Sequence, residues 1–268
     1  MGRTLFVGCS HSMGYWAKDN HTPPRTWQEN NYAEIYAREN NKPAVIMASA
    51  GSGNRSFPRF IANAFKIYND IDEVFLQTTY WGRFPIAINP DLDEKKIFPI
   101  DFFLEKEKSS DLIDRYSWNL YQDDAKYVEY YVKPEVFDYD ETPYNIYTQP
   151  LVSEPDVRRS GAMYMRMWHH NNTHLEQEDF FTSVAMCDTI CKNNDVPLYV
   201  WNINDRCYLP KETKNFYTEL TSTKVAETSA EKYLKQYMKI DTIDGEHYSV
   251  SVHDAIAKRY ISYIKDTK

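Results

Sequence analysis

Three separated segments carry residue types that can do acyl chemistry. Ser10 stands in FVGCSHSMG (Phe6 to Gly14), just past a short apolar run. A serine hydroxyl becomes a nucleophile when a base takes its proton, and an imidazole does this best when a carboxylate orients it. Far along the chain, Asp244 and His247 lie three residues apart in IDGEHYS, just before a helical apolar period. On such a loop one imidazole nitrogen can receive the carboxylate while the other faces the serine. Between these segments lies ASAGSGN (Ala48 to Asn54). Glycine there lets backbone N–H groups point at a ligand with no Cβ in the way, as an oxyanion hole requires. Each segment also has a plain reading: Ser10 as a helix cap, and the glycine segment as a tight turn.

The surrounding elements place Ser10 and the glycine turn at one edge. TLFVG (Thr4 to Gly8), PAVIMASA (Pro43 to Ala50), EVFLQTT (Glu73 to Thr79) and VPLYVWN (Val196 to Asn202) read as buried strands. Trp27 to Arg38 suits a helix. Phe57, Phe60, Ile61, Ala64, Phe65 and Tyr68 recur at helical spacing. Further helices are expected near Leu175 to Lys192, Glu231 to Met238 and Val250 to Lys265. The opening β-α-β-α-β order predicts a parallel sheet with right-handed crossovers. Ser10 and the glycine turn both follow strands, and ligands of open parallel sheets bind beyond the carboxyl ends of the strands. From about 84 to 165 the periodicity stops. That span is read as an insertion after strand three within a single domain, forming a cap over the same edge, with Tyr80, Trp81, Tyr116 and Trp118 lining the cleft.

Composition narrows the function classes. The chain has 268 residues with a net charge of −8 and no basic cluster, which argues against nucleic acid and anionic membranes as partners. No stretch approaches a membrane span, and Thr4 to Gly8 is too short for a signal peptide. The four cysteines have no framework spacing and are read as reduced thiols in a cytoplasmic protein. His170 and His174 have metal-ligand spacing, but Asn171 to Thr173 looks like a loop and cap, so neither a metal nor a cofactor is expected. Tyrosine is the anomaly: 22 in all, eight of them between Tyr116 and Tyr147. Such residues pack a subdomain or stack on sugar rings.

Taken together, the three segments resemble the SGNH/GDSL hydrolase superfamily. Its last block often reads Asp-Gly-x-His-x-Ser-x-x-Gly-His-x-x-Ile-Ala. Here that block runs Asp244-Gly245-Glu246-His247-Tyr248-Ser249-Val250-Ser251-Val252-His253-Asp254-Ala255-Ile256-Ala257. The resemblance implies a flavodoxin-like three-layer α/β/α fold, with Ser10 as nucleophile, His247 as base and Asp244 as orienter. It makes His253 a second, non-catalytic histidine, and it pairs the Gly51 and Ser10 N–H groups in an oxyanion hole. Two blocks depart from the pattern. Cys9 replaces the aspartate of Gly-Asp-Ser, a form similar to a divergent branch of phage and environmental bacterial sequences; a phage origin would make virion association the expectation. The usual Gly-x-Asn-Asp after strand three is replaced by Thr78-Thr79-Tyr80-Trp81-Gly82-Arg83. The side-chain oxyanion donor then falls to Asn54, Thr79 or Arg83.

The expected activity is hydrolysis of an ester, a small molecule or an O-acylated carbohydrate, through an acyl-enzyme. Two alternatives stand beside it: a non-catalytic phage structural or binding protein on the same fold, and an acyltransferase. The oligomeric state is open.

Overall fold

The computed structural model describes residues 2–16, 26–27, 31–48, 53–79, 84–87, 105–107, 111–117, 127–132, 146–148, 178, 180–204, 220, 223–242 and 247–267. The main sheet contains β1 (Arg3–Gly8), β2 (Ala44–Ala48), β3 (Ile71–Thr78), β4 (Glu105–Glu107), β5 (Ile113–Ser117), β6 (Leu198–Asn202) and β7 (Thr223–Val225). Their order is β7-β6-β3-β1-β2-β5-β4. All neighbouring pairs are parallel except β4 on β5, which is antiparallel and forms one edge. The five strands from β2 to β7 follow the flavodoxin-like order, in which a ligand crevice opens beside the first strand.

Helices cover both faces, giving the expected three-layer α/β/α architecture. Strand alternation separates two cores. Phe6 of β1 points with Ile46, Phe75 and Trp201 toward α2 (Tyr32–Glu39), α5 (Ala230–Leu234) and the C-terminal helix α6 (Val250–Ala255). That last helix widens to a π turn over Ile256–Tyr260 and resumes as Ile261–Asp266. Leu5 and Val7, one residue to either side of Phe6, point to the other face. There they meet α3 (Phe57–Ile67) and α4 (180–193). These strands are covered on both sides, which is why they read as continuous apolar runs.

Helix α2 begins at Tyr32, five residues later than Trp27, because its first amides are satisfied there. The Asn31 side chain accepts from the N–H groups of Ala33 (2.9 Å) and Glu34 (3.0 Å), and His253 Nδ1 accepts from Tyr32 N–H at 3.3 Å. With Ile35 N–H on Asn31 O, the first turn leaves no orphan donor.

The main departure from expectation lies inside the span 84–165. Ile113–Ser117 belongs to the main sheet, parallel to β2, rather than to a cap. Its sequence, IDRYS, gave no strand signal because its polar side chains find partners on opposite faces. Arg115 forms a buried ion pair with Glu34 of α2, while Asp114 accepts from Tyr68 at 2.7 Å. Tyr116, expected in the cleft, is buried in the second core and meets the Tyr68 hydroxyl at 2.9 Å. Three other segments of the span, Phe84–Ala87, Tyr127–Val132 and Ile146–Thr148, form a separate antiparallel sheet. Phe84–Ala87 approaches the turn Asn54–Ser56, at the carboxyl edge of β2.

Candidate active site

Ser10 opens a single helical turn, α1 (Ser10–Met13), directly after β1. It is not the cap of that turn: Cys9 is, and its side chain makes no capping bond. The N–H of a first helical residue is not used by the helix ladder. Gly14 closes the turn with φ 78°, a left-handed conformation suited to glycine, and its N–H bonds Ser10 O. Gly8 is required for a different reason. A Cβ there would collide with Ser12 Oγ and lie 2.9 Å from Gln77 Oε1. The turn can therefore fold tightly over the end of the strand only with glycine at that position.

His247 is half-buried and held from both sides. Thr242 and Tyr248 form an antiparallel bridge that closes the Asp-x-x-His loop, and Ser249 N–H bonds Asp241 O at 3.0 Å. The Tyr248 hydroxyl donates to Ile203 O, just past β6, at 3.2 Å. The ring of His11, the residue after Ser10, then lies 5.2 Å from the His247 ring and 5.2 Å from that of Tyr248. The structure thus brings the Ser10 turn and the His247 loop together at one edge of the sheet. Asp244, Gly51 and Arg83 fall outside the described residues, as do Tyr80, Trp81, Trp118, Cys207 and the histidines at 169, 170 and 174.

His253 has the structural task of accepting from Tyr32 N–H. Burial, with a smaller contribution from His247, holds it neutral down to about pH 3. A neutral imidazole accepting at Nδ1 carries its proton at Nε2. The second histidine of the block therefore joins α6 to the start of α2 rather than handling protons.

Asn54 is buried and fixed. Its Oδ1 accepts from Thr79 N–H and its Nδ2 donates to Thr79 O, each at 3.0 Å. The cap residue of α3 is Ser56. Asn54 latches the turn after β2 to the end of β3, so that it and Thr79 share the edge that carries Ser10.

No family model matches the chain. No curated protein matches it. Two solved structures resemble it. One is a carbohydrate esterase whose active site is described as displaying divergent catalytic and non-catalytic binding functions. It aligns with a TM-score of 0.44 and 9% identity, over 100% of this chain and 65% of its own. The other is a carbohydrate esterase family 2 enzyme with a carbohydrate-binding domain, from Corynascus thermopiles (Myceliophthora fergusii). It aligns with a TM-score of 0.46 and 9% identity, over 98% of this chain and 65% of its own. The chain thus spans 65% of the length of each solved chain.

The site also contains residues that the sequence pattern did not single out: His11, Ser12, Tyr32 and Gln77. One signal was present. Gln77 is a lone amide within the apolar strand EVFLQTT, and a buried polar side chain must find partners. Among the described residues no group of three or more His, Cys, Asp or Glu side chains is placed to hold a metal ion. Cys9, Cys187 and Cys191 are free thiols and buried. No described helix is long and apolar enough to cross a membrane.

Proposed function

We propose that this chain is a serine ester hydrolase of SGNH/GDSL type, acting on an O-acylated carbohydrate or another small ester. One observation carries the reading. Ser10 starts a turn at the carboxyl end of β1, and its neighbour His11 lies against His247, the histidine of the Asp-x-x-His loop. In the proposed reaction Ser10 Oγ attacks the acyl carbon as its proton passes to His247. The bond to the leaving alcohol then breaks, and that proton goes to the departing oxygen. Water repeats the sequence on the acyl-serine and releases the acid. Asp244 orients His247, and the N–H groups of Ser10 and Gly51 receive the oxyanion. The third donor is Asn54 or Thr79, which the latch holds at this edge, or Arg83. The three-stranded sheet of the insertion serves as a cap, a role supported by the approach of Phe84–Ala87 to Asn54–Ser56. The carbohydrate preference draws on the superfamily resemblance and on the tyrosines from Tyr121 to Tyr147.

Release of acetate from p-nitrophenyl acetate and from peracetylated xylose tests the proposal. The folded protein should turn over at least one of them, and Ser10→Ala and His247→Ala should reduce the rate to that of buffer. If the folded wild type releases nothing from either, or if Ser10→Ala retains the wild-type rate, the reading fails.

A further inference from the structure

We propose that Gln77 is a positioning residue for the nucleophile, acting on Ser10 through Cys9 and Ser12. The inference rests on the esterase reading above. It explains how a Gly-Cys-Ser turn is held although Cys9 stands where an aspartate is usual. Gln77 lies near the end of β3, the strand next to β1, and is 1% exposed. It touches both flanks of Ser10. Its Oε1 accepts from Ser12 Oγ at 2.7 Å, and its Nε2 donates to Cys9 Sγ at 3.1 Å and to Thr78 O at 3.3 Å. Ser12 Oγ also lies 2.7 Å from the buried Tyr32 hydroxyl. Because the single Ser12 proton goes to Gln77, Tyr32 must be the donor in that pair.

The result is a one-way relay of hydrogen bonds, from Tyr32 to Ser12 to Gln77 to Cys9. The direction is set by Gln77 Oε1, which can only accept and so takes the Ser12 proton, leaving Ser12 to accept from Tyr32; burial raises the Tyr32 hydroxyl pKa, so that group keeps the proton it donates. The relay runs under the helical turn that presents Ser10. Ser10 Oγ itself lies 4.0 Å from the same Cys9 sulfur. A shift at Gln77 therefore moves the residues on both sides of the nucleophile, and a misplacement near 1 Å can cost about a hundredfold in rate. The Gly8 requirement belongs to the same device, because Ser12 Oγ and Gln77 Oε1 occupy the space a Cβ would take.

The test is the second-order rate at which a fluorophosphonate labels Ser10, measured with the melting temperature of each variant. Gln77→Leu removes both arms of the relay. Gln77→Met also removes both arms while keeping a side chain of similar length, and it serves if Gln77→Leu does not fold. Either variant should label roughly ten- to a hundredfold more slowly in folded protein. On a turned-over ester, kcat should fall while KM stays near the wild-type value. Because the relay acts through Cys9, Cys9→Ala combined with Gln77→Met should be no slower than the slower single variant. Wild-type labelling rates in folded Gln77→Met would overturn the proposal. So would multiplicative effects of Cys9→Ala and Gln77→Met, or a loss of melting temperature with no loss of labelling. A wild type that does not label at all would instead overturn the esterase reading itself, and this inference with it.

Discussion

His11 and His247 come from opposite ends of the chain, yet their rings lie 5.2 Å apart with an interplanar angle of 41°. The contact joins the turn after the first strand to the loop before the last helix. Each side is held by its own bonds: the Gly14 closure on one, the Thr242–Tyr248 bridge and the Tyr248 bond to Ile203 on the other. A ring at position 11 should therefore matter more than an imidazole. His11→Phe is expected to keep most of the turnover of a suitable ester, whereas His11→Ala should lower kcat, as His247 loses a neighbour. Steady-state kinetics on both variants checks this, and equal activity of the two would remove the role assigned to the contact.

His253 sets the acid sensitivity of the fold. In the folded protein it stays neutral down to about pH 3, whereas its ordinary value is 6.5. The unfolded chain therefore binds a proton that the folded chain refuses, so stability falls as pH drops below 6.5. The slope is about 1.4 kcal/mol per pH unit for one proton. His253→Phe should flatten the urea-unfolding free energy between pH 6 and 4.5. It should also cost about 1–3 kcal/mol at pH 7, where the buried Tyr32 N–H loses its acceptor. An unchanged slope in the variant would assign the acid sensitivity elsewhere.

Glu73 acts at lower pH and at the opposite end of the sheet. Burial would raise its pKa, but bonds from Lys265, Lys42, Thr4 and Tyr36 outweigh this and hold it at about 2. Its contribution is complete above the ordinary carboxyl value of 4.5 and is lost as pH falls toward 2. Glu73→Gln should be strongly destabilised at pH 7, since two lysines lose a shared partner, and the gap from wild type should narrow at pH 3. Urea titrations at the two pH values measure that gap.

Asn54→Ala separates a latch from a dispensable surface amide. It leaves the buried N–H and C=O of Thr79 without their partner, which should cost about 1–3 kcal/mol. If Asn54 also donates to the oxyanion, turnover falls by about a hundred- to a thousandfold as well. Calorimetry and kinetics on one sample read both effects. An unchanged melting temperature would contradict the latch.

The sequence revealed the elements whose physics is local. β1, β2, β3 and β6 are buried on both faces and therefore read as apolar runs, and α3 and α6 carry a clean helical period. Of the candidate site, the approach of the Ser10 turn to His247 was legible, because strand ends and the pre-helix block are sequence features. β5 was not legible, since Arg115 and Asp114 look like surface charges until Glu34 and Tyr68 come into view. β7 is only Thr223–Val225, too short for any period to register. The Asn54 latch and the Gln77 relay were hidden because their partners are distant in sequence, and one of those partners is backbone.

The central claim is that Ser10 is a nucleophile activated by His247. Intact-protein and peptide mass spectrometry after treatment with a fluorophosphonate addresses it most directly. One phosphonyl group should appear on Ser10 in the wild type and none in His247→Ala. A folded wild type that stays unmodified, or one that is modified only at another residue, would contradict the account.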